Sequence, residues 1–281
     1  MVTDKPTWAR RPRDYAARAD AAAARSRAST DADDRRRQDT IGITWAPFDV
    51  DSIQRSSVER SRHRFRSGLP DLIWNTAALE GNSFTLPEVR TLLDGVTVGG
   101  KRLAEEQQIL ALSDAYSRLD QMVAAGEFAL TKSVSDELHR LLGRDEALES
   151  GHFRGEGSAT GGGNVRLANG GTVLGVDEGP GGPHLLAHFK RLLDFLRTVD
   201  DPRHRALLYF ASATRRQFYF DGNKRTARLM MVGELMSSGF DPISIPFSRK
   251  LEFNIALDEL FTTDDATRLL RFLVTCTLLD R

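Results

Sequence analysis

The chain has 281 residues, with 39 Lys and Arg balanced by 39 Asp and Glu, and a single cysteine. That length can bury a substantial core, as one domain with extensions or as two. The charge balance gives no global field toward nucleic acid or a membrane surface, one cysteine excludes an internal disulfide or a cysteine-rich metal site, and no apolar run approaches the about 18 residues of a membrane span.

Residues 1–40 are Arg, Asp and Ala with few large apolar groups. Such a segment is expected to be flexible, although Tyr15 to Arg27 could form a helix against a partner surface. The Asp residues interleaved in Asp31-Ala32-Asp33-Asp34-Arg35-Arg36-Arg37 argue against a basic nucleic-acid arm. No signal-peptide core is apparent, so a cytoplasmic location is expected.

Ile41 to Phe48 reads as an apolar strip that docks on the core. Asp51 to Arg66 reads as a helix capped by Asp51. Leu72, Ile73, Ala77 and Leu79 sit at helical spacing, and Gly81 stops that helix. Ser83 to Asp94 opens with Thr85 capping Glu88 and Pro87 in the first turn. Val96 to Lys101 is a turn. Leu103 to Ala124 is a long helix, and Val134 to Leu142 another; its His139 reads as a surface or packing residue, with no second ligand at metal spacing. The glycines of 155–163 look flexible and are not a phosphate loop, since no Gly-Lys-Ser/Thr follows.

Val165 to Leu174 is a hairpin around Asn169-Gly170-Gly171. Pro183 to Arg197 is amphipathic, and His204 to Arg216 is apolar enough to be the central buried helix. Lys224 to Ser238, Leu251 to Leu260 and Asp265 to Leu279 complete the helices, with Pro242 to Pro246 extended and Cys276 a small buried residue. The expected fold is mostly α with one small hairpin. The expected division is 1–40, then a helical region 41–95, then a core domain 96–281.

One stretch organises the rest: Asp221-Gly222-Asn223-Lys224-Arg225-Thr226-Ala227-Arg228. A turn between two helical patterns leaves backbone N–H groups unpaired at the second helix's start, where they and the helix dipole attract anions. Arg225 and Arg228 share one helix face. Asp221 is a hard oxygen ligand of the kind that holds Mg²⁺ beside a phosphate. Together these read as a site for a nucleotide polyphosphate.

Gln217 to Arg228 resembles the signature loop of the Fic (Fido) domain family, H-x-F-x-[DE]-G-N-G-R-x-x-R. The resemblance implies a helical bundle around a central helix–anion loop–helix, with ATP and Mg²⁺ bound at the loop and AMP passed to a protein hydroxyl. It implies Asp221 as the metal ligand, Gly222, Asn223 and Lys224 as the anion cradle, and Arg225 and Arg228 on the β- and γ-phosphates. Two departures stand out. Gln217 occupies the place of the family's catalytic His, and a neutral amide cannot serve as a general base. Lys224 occupies the place of the second Gly, as in the Doc branch, which transfers a phosphate.

Thr76-x-x-x-Glu80-Gly81 resembles the inhibitory motif of autoinhibited Fic proteins of the class with an N-terminal inhibitory helix. The resemblance implies that Glu80 pairs with Arg228 and takes the γ-phosphate position, one carboxylate competing with a phosphate for a guanidinium. Gly151-His152-Phe153-Arg154 resembles the family's segment before the flap, and the hairpin near Val165 to Val173 would be the flap that registers a target protein by adding a strand to it. The functions left open are an AMP transferase weakened or altered by Gln217, a non-catalytic Fic protein that binds nucleotide or a partner, and a Doc-like phosphate transferase. A homodimer is compatible with all three. His152, His184 and His188 lie outside the loop, and the sequence does not say whether one of them replaces the missing base.

Overall fold

The computed structural model describes residues 32–168 and 170–277. Among them are eleven α-helices, one 3-10 turn (Phe247–Arg249) and one two-stranded sheet. The helices are α1 (Ala32–Ile41), α2 (Val58–Ser67), α3 (Leu69–Leu79), α4 (Leu86–Leu93), α5 (Leu103–Ala125), α6 (Lys132–Leu142), α7 (Pro183–Leu196), α8 (Pro202–Arg216), α9 (Asn223–Ser237), α10 (Lys250–Thr263) and α11 (Thr267–Val274). The mostly helical expectation holds.

The centre is the pair α8 and α9, which pack against each other more extensively than any other two elements described. Every residue of α8 from Ala206 to Thr214 is buried. In α9, Asn223 and Arg225 through Met236 are buried as well. A helix buried on all sides has no polar face to spare, so its charged groups must find partners or serve a ligand. Glu234 finds Arg205 of α8 at 2.8 Å.

Several boundaries move, each for a local reason. The charged segment expected to be flexible through residue 40 ends in α1, which packs against α7. The alanine-rich stretch Tyr15 to Arg27 lies outside the described residues. The helix expected from Asp51 begins at Val58, because Ile53 is fully buried and Arg55 bridges to Phe240. Ser57 is its cap, accepting from Arg60 N at 3.2 Å. At the other end, α11 is shorter than the span Asp265 to Leu279. Residues 264–266 instead hold the apolar strip, with Thr44 N donating to Asp264 O and Ala266 N to Thr44 O, both at 2.8 Å. Residues past 277 lie outside the described ones.

α3 ends in a Schellman motif. Asn82 N donates to Ala77 O and Gly81 N to Ala78 O, both at 3.1 Å, with Gly81 at φ +97°. The motif needs that positive φ, which glycine adopts without strain. It places Glu80 at a defined corner. Asn75 Oδ1 accepts from Phe247 N at 2.7 Å, and Asn82 Nδ2 donates to Gln108 Oε1 at 2.9 Å, so both sides of the corner are tied down. The capping box of α4 is in place, with Thr85 N donating to Glu88 Oε2 at 2.7 Å.

The hairpin is short. Val165 pairs with Val173 and Arg166 with Thr172, antiparallel. The backbone N–H of Ala168, at its tip, donates to the Asp258 carboxylate of α10 at 3.2 Å.

Candidate functional site

α8 ends at Gln217, which adopts the left-handed conformation (φ +50°). The chain then turns through Phe218 to Gly222 and enters α9. Two of the turn's three aromatic side chains, Phe218 and Tyr219, point into the core, and Phe220 is half-buried. Phe218 stacks on Phe153 with ring centroids 4.9 Å apart, and Tyr219 stacks on His139 at 3.7 Å. Tyr219 Oη reaches Asp136 Oδ1 at 2.8 Å and Ser135 Oγ at 2.7 Å. Burial and the Asp136 charge hold its phenol well above the usual range.

Asn223 braces the turn from inside. Its Oδ1 accepts from Tyr219 N at 2.8 Å, and its Nδ2 donates to Tyr219 O at 2.7 Å and Gln217 Oε1 at 3.1 Å. Gln217 Nε2 donates to Thr214 O at 2.6 Å. Both ends of the Gln217 amide are therefore engaged, and the residue is a brace. Among the described residues, none of His152, His184 or His188 hydrogen-bonds Gln217. His184 is 3.2 Å from Asp177, and His188 is 2.6 Å from Arg191.

Gly222 caps α9 at φ +70°, and a Cβ there would lie 2.9 Å from Leu142 Cδ1. The first helical bond runs from Thr226 N to Gly222 O at 2.9 Å. The amides of Asn223, Lys224 and Arg225 precede it and have no acceptor within the helix. Asp221 is exposed, and its Oδ1 accepts from Gly222 N at 2.6 Å. Among the described residues no group of three or more His, Cys, Asp or Glu could hold a metal ion. A lone exposed carboxylate fits Mg²⁺ where phosphate oxygens and water complete its shell.

The two arginines differ sharply. Arg225 is 4 % exposed and pairs with Glu146 Oε2 at 2.7 Å, with Asp221 Oδ1 at 3.6 Å. Arg228 is 2 % exposed, and none of its Nε, Nη1 and Nη2 atoms has a hydrogen-bond partner. Burial pulls its pKa below the usual arginine range, opposed by Tyr116 and Glu80 nearby.

Glu80 meets the loop, but at a different residue from the one the resemblance implies. Its Oε2 lies 3.0 Å from Lys224 Nζ, while Oε1 is buried without a partner. Lys224, standing where the family has glycine, carries a side chain long enough to intercept the carboxylate before Arg228. Burial disfavours the charged carboxylate, yet Lys224, Arg228 and Arg225 together hold its pKa below the usual range. Of the other two residues in that motif, Thr76 is buried with its hydroxyl on Tyr116 Oη at 2.8 Å, and Gly81 is the helix stop. Neither touches the loop.

Three residues behind the loop were not assigned a role from sequence. Glu146 holds Arg225. Arg154, 1 % exposed, joins the loop to the base of the hairpin: it donates to Gln217 O at 2.8 Å, Gly161 O at 2.9 Å and Val176 O at 2.9 Å, and pairs with Glu178 at 3.3 Å. His139 is fully buried and packs on Tyr219, so of its two readings the packing one holds and the surface one does not; its ring is hydrogen-bonded as well. Its place beside Ser135, Leu138 and Leu142 on the buried face of α6 was the available signal.

No protein-family model matches the sequence. The chain is 28% identical over 208 residues to the protein adenylyltransferase Fic of Drosophila ananassae, covering 73% of this chain and 39% of that protein. The Drosophila melanogaster protein of the same name is 28% identical over 209 residues, covering 73% and 40%. The match thus spans about two fifths of these relatives. Among solved structures, a fragment of Fic-1 from C. elegans superposes with TM-score 0.62 at 21% identity, covering 78% of this chain and 67% of that one. A Fic domain-containing signaling protein from Bacteroides thetaiotaomicron gives 0.63 at 22%, covering 81% and 88%. This chain has the fold of Fic-domain proteins, and over 73% of its length its sequence is similar to protein adenylyltransferases of that name.

Proposed function

We propose that the chain binds a nucleoside triphosphate, ATP with Mg²⁺, at the Asp221 to Arg228 loop, as a Fic protein of the type that passes AMP to a protein hydroxyl. One observation carries this reading: Arg228, a buried guanidinium with no hydrogen-bond partner, lies on the first turns of a 15-residue helix whose amides precede any acceptor. A buried unpaired charge costs stability unless a ligand completes it. The names of the Drosophila relatives support the choice of ATP and of a protein target.

In this reading the residues divide the work. The turn at Gly222 opens the cradle, and the amides of Asn223, Lys224 and Arg225 with the side chains of Lys224, Arg225 and Arg228 hold the phosphates. Asp221 would hold Mg²⁺, which when bound neutralises phosphate charge. The hairpin of Val165 to Val173 registers the target segment by strand addition. Glu80, held on Lys224, keeps negative charge beside Arg228 and so restrains triphosphate binding; this is autoinhibition by a carboxylate competing with phosphate. In the transfer, the target hydroxyl oxygen would bond to the α-phosphorus as the bond to diphosphate breaks. Its proton would pass to solvent, because the Gln217 amide cannot take it. Lacking that base costs about 10²–10⁴-fold.

The locked Gln217 amide favours a second reading, a nucleotide-binding Fic protein without transfer. Calorimetry with Mg²⁺ and ATP on the parent and on Glu80→Gly tests binding; incubation of Glu80→Gly and Glu80→Gly/Gln217→His with labelled ATP tests transfer. Tighter binding by Glu80→Gly is expected. Labelling by the single variant supports the enzyme, labelling by the double variant alone supports the binding protein, and no ATP binding by either refutes both.

A further inference from the structure

His139 sits outside the loop yet touches it twice, by a hydrogen bond to the Asp221 carbonyl and by stacking on Tyr219. Its ring is fully buried and lies parallel to Tyr219, 3.7 Å between centroids and 7° between planes. Nδ1 faces the backbone N–H of Gly151 at 2.8 Å and must accept. A neutral imidazole then carries its proton on Nε2. Nε2 lies 2.9 Å from the carbonyl oxygen of Asp221, to which it donates. The Asp221–Gly222 peptide is planar and trans, so drawing its carbonyl toward α6 turns the Gly222 N–H the opposite way. There the N–H meets the exposed carboxylate of Asp221 at 2.6 Å. Gly222 leaves no slack, since a Cβ on it would come within 3.3 Å of His139 Nε2.

We propose that His139 is the positioning residue of the anion loop: gripped by Gly151 and Tyr219, its Nε2–H sets the Asp221–Gly222 peptide and thereby the carboxylate and first-turn amides that face a triphosphate. It touches no ligand and acts through that peptide. The ligand class rests on the nucleotide reading above; the positioning itself does not.

Three measurements on the whole chain test it. Nitrogen-15 spectra of the parent should show His139 as the Nε2–H tautomer; the Nδ1–H tautomer would overturn the proposal. Hydrogen exchange should show the hydrogen-bonded amides of Gly222 and Thr226 exchanging about tenfold faster in His139→Phe, which keeps the stacked ring and loses both hydrogen bonds. His139→Gln, which keeps an amide donor near the Nε2 position, should recover most of that protection. Loop exchange at the parent rate in a folded His139→Phe would overturn the proposal; if that variant does not fold, the tautomer and the His139→Gln exchange decide it. Calorimetry of Glu80→Gly against Glu80→Gly/His139→Phe should show ATP affinity falling about tenfold. Equal affinity would overturn the link to the ligand. Absence of ATP binding by Glu80→Gly itself would refute the nucleotide reading, with the tautomer and exchange still deciding the positioning.

Discussion

Replacing Arg228 by methionine separates a ligand-binding arginine from a structural one. Met keeps the long apolar stem of the side chain and removes the guanidinium. All three guanidinium nitrogens lack hydrogen-bond partners at 2 % exposure, so the substitution removes a desolvation cost and breaks no hydrogen bond. Unsatisfied buried polar groups cost about 1–3 kcal/mol each. Glu80 keeps its partner, because its Oε2 is on Lys224 at 3.0 Å. Arg228→Met should therefore stabilise the ligand-free protein by about 1–3 kcal/mol, raising Tm by roughly 2–4 °C per kcal/mol for a chain of this size class. A hydrogen bond from a charged donor to phosphate is worth about 1.5–3 kcal/mol, so ATP affinity should fall roughly 10- to 150-fold. Thermal unfolding with and without Mg²⁺–ATP, together with calorimetry, measures both. A Tm lowered by several degrees with ATP affinity unchanged would refute the reasoning and make Arg228 a structural cation.

Other outcomes follow from the same geometry. Burial pushes the His139 imidazole down to about 4, against an unfolded value of about 6.5. The unfolded chain thus takes up the proton first, and stability present above pH 6.5 is lost as the pH falls toward 4, by about 3 kcal/mol from this residue. Denaturant melts across that window should show the loss, and His139→Gln should flatten it; His188, also held down to about 4 but part exposed, adds a smaller slope. Gly222→Ala combines a left-handed φ with a Cβ 2.9 Å from Leu142, and should cost about 1–3 kcal/mol in urea unfolding with ATP affinity reduced in parallel. Arg154→Met strands the carbonyls of Gln217, Gly161 and Val176 and leaves the Glu178 carboxylate on the Gly161 N–H without its cation; a loss of about 3–5 kcal/mol and rapid proteolytic nicking within 155–178 are expected. Resistance to nicking at the parent level would show that the hairpin base is held by other contacts.

Much of the fold was legible because it is written locally. Thr85, Pro87 and Glu88 announce the start of α4, and Gly81 the end of α3, through rules that act within a few residues. The central position of α8 could be read from its continuous apolar character. The turn between α8 and α9 was legible because Asp-Gly-Asn between two helical patterns ends one helix and opens the next, with first-turn amides that have no acceptor within the helix. The start of α2 was not legible. Asp51 is a sound cap by composition, but Ile53 is drawn into the core and Arg55 to Phe240, 185 positions away.

The sequence by itself determined most of the helices, though not α1 or the start of α2, together with the hairpin, the loop and which residue types stand in it, including Gln217 in place of a base and Lys224 in place of a glycine. Tertiary structure alone decided the pairings. It gave Glu80 to Lys224 and left Arg228 without a hydrogen-bond partner, because a lysine side chain at 224 reaches the carboxylate first. It also made His139, read from sequence as a surface or packing residue, a hydrogen-bond partner of the Asp221 carbonyl, because α6 packs against α9. Spacing along a chain specifies which way a side chain leaves its own helix; which of several nearby charges it meets depends on distances of a few ångström between segments more than a hundred residues apart, and only the folded packing sets those.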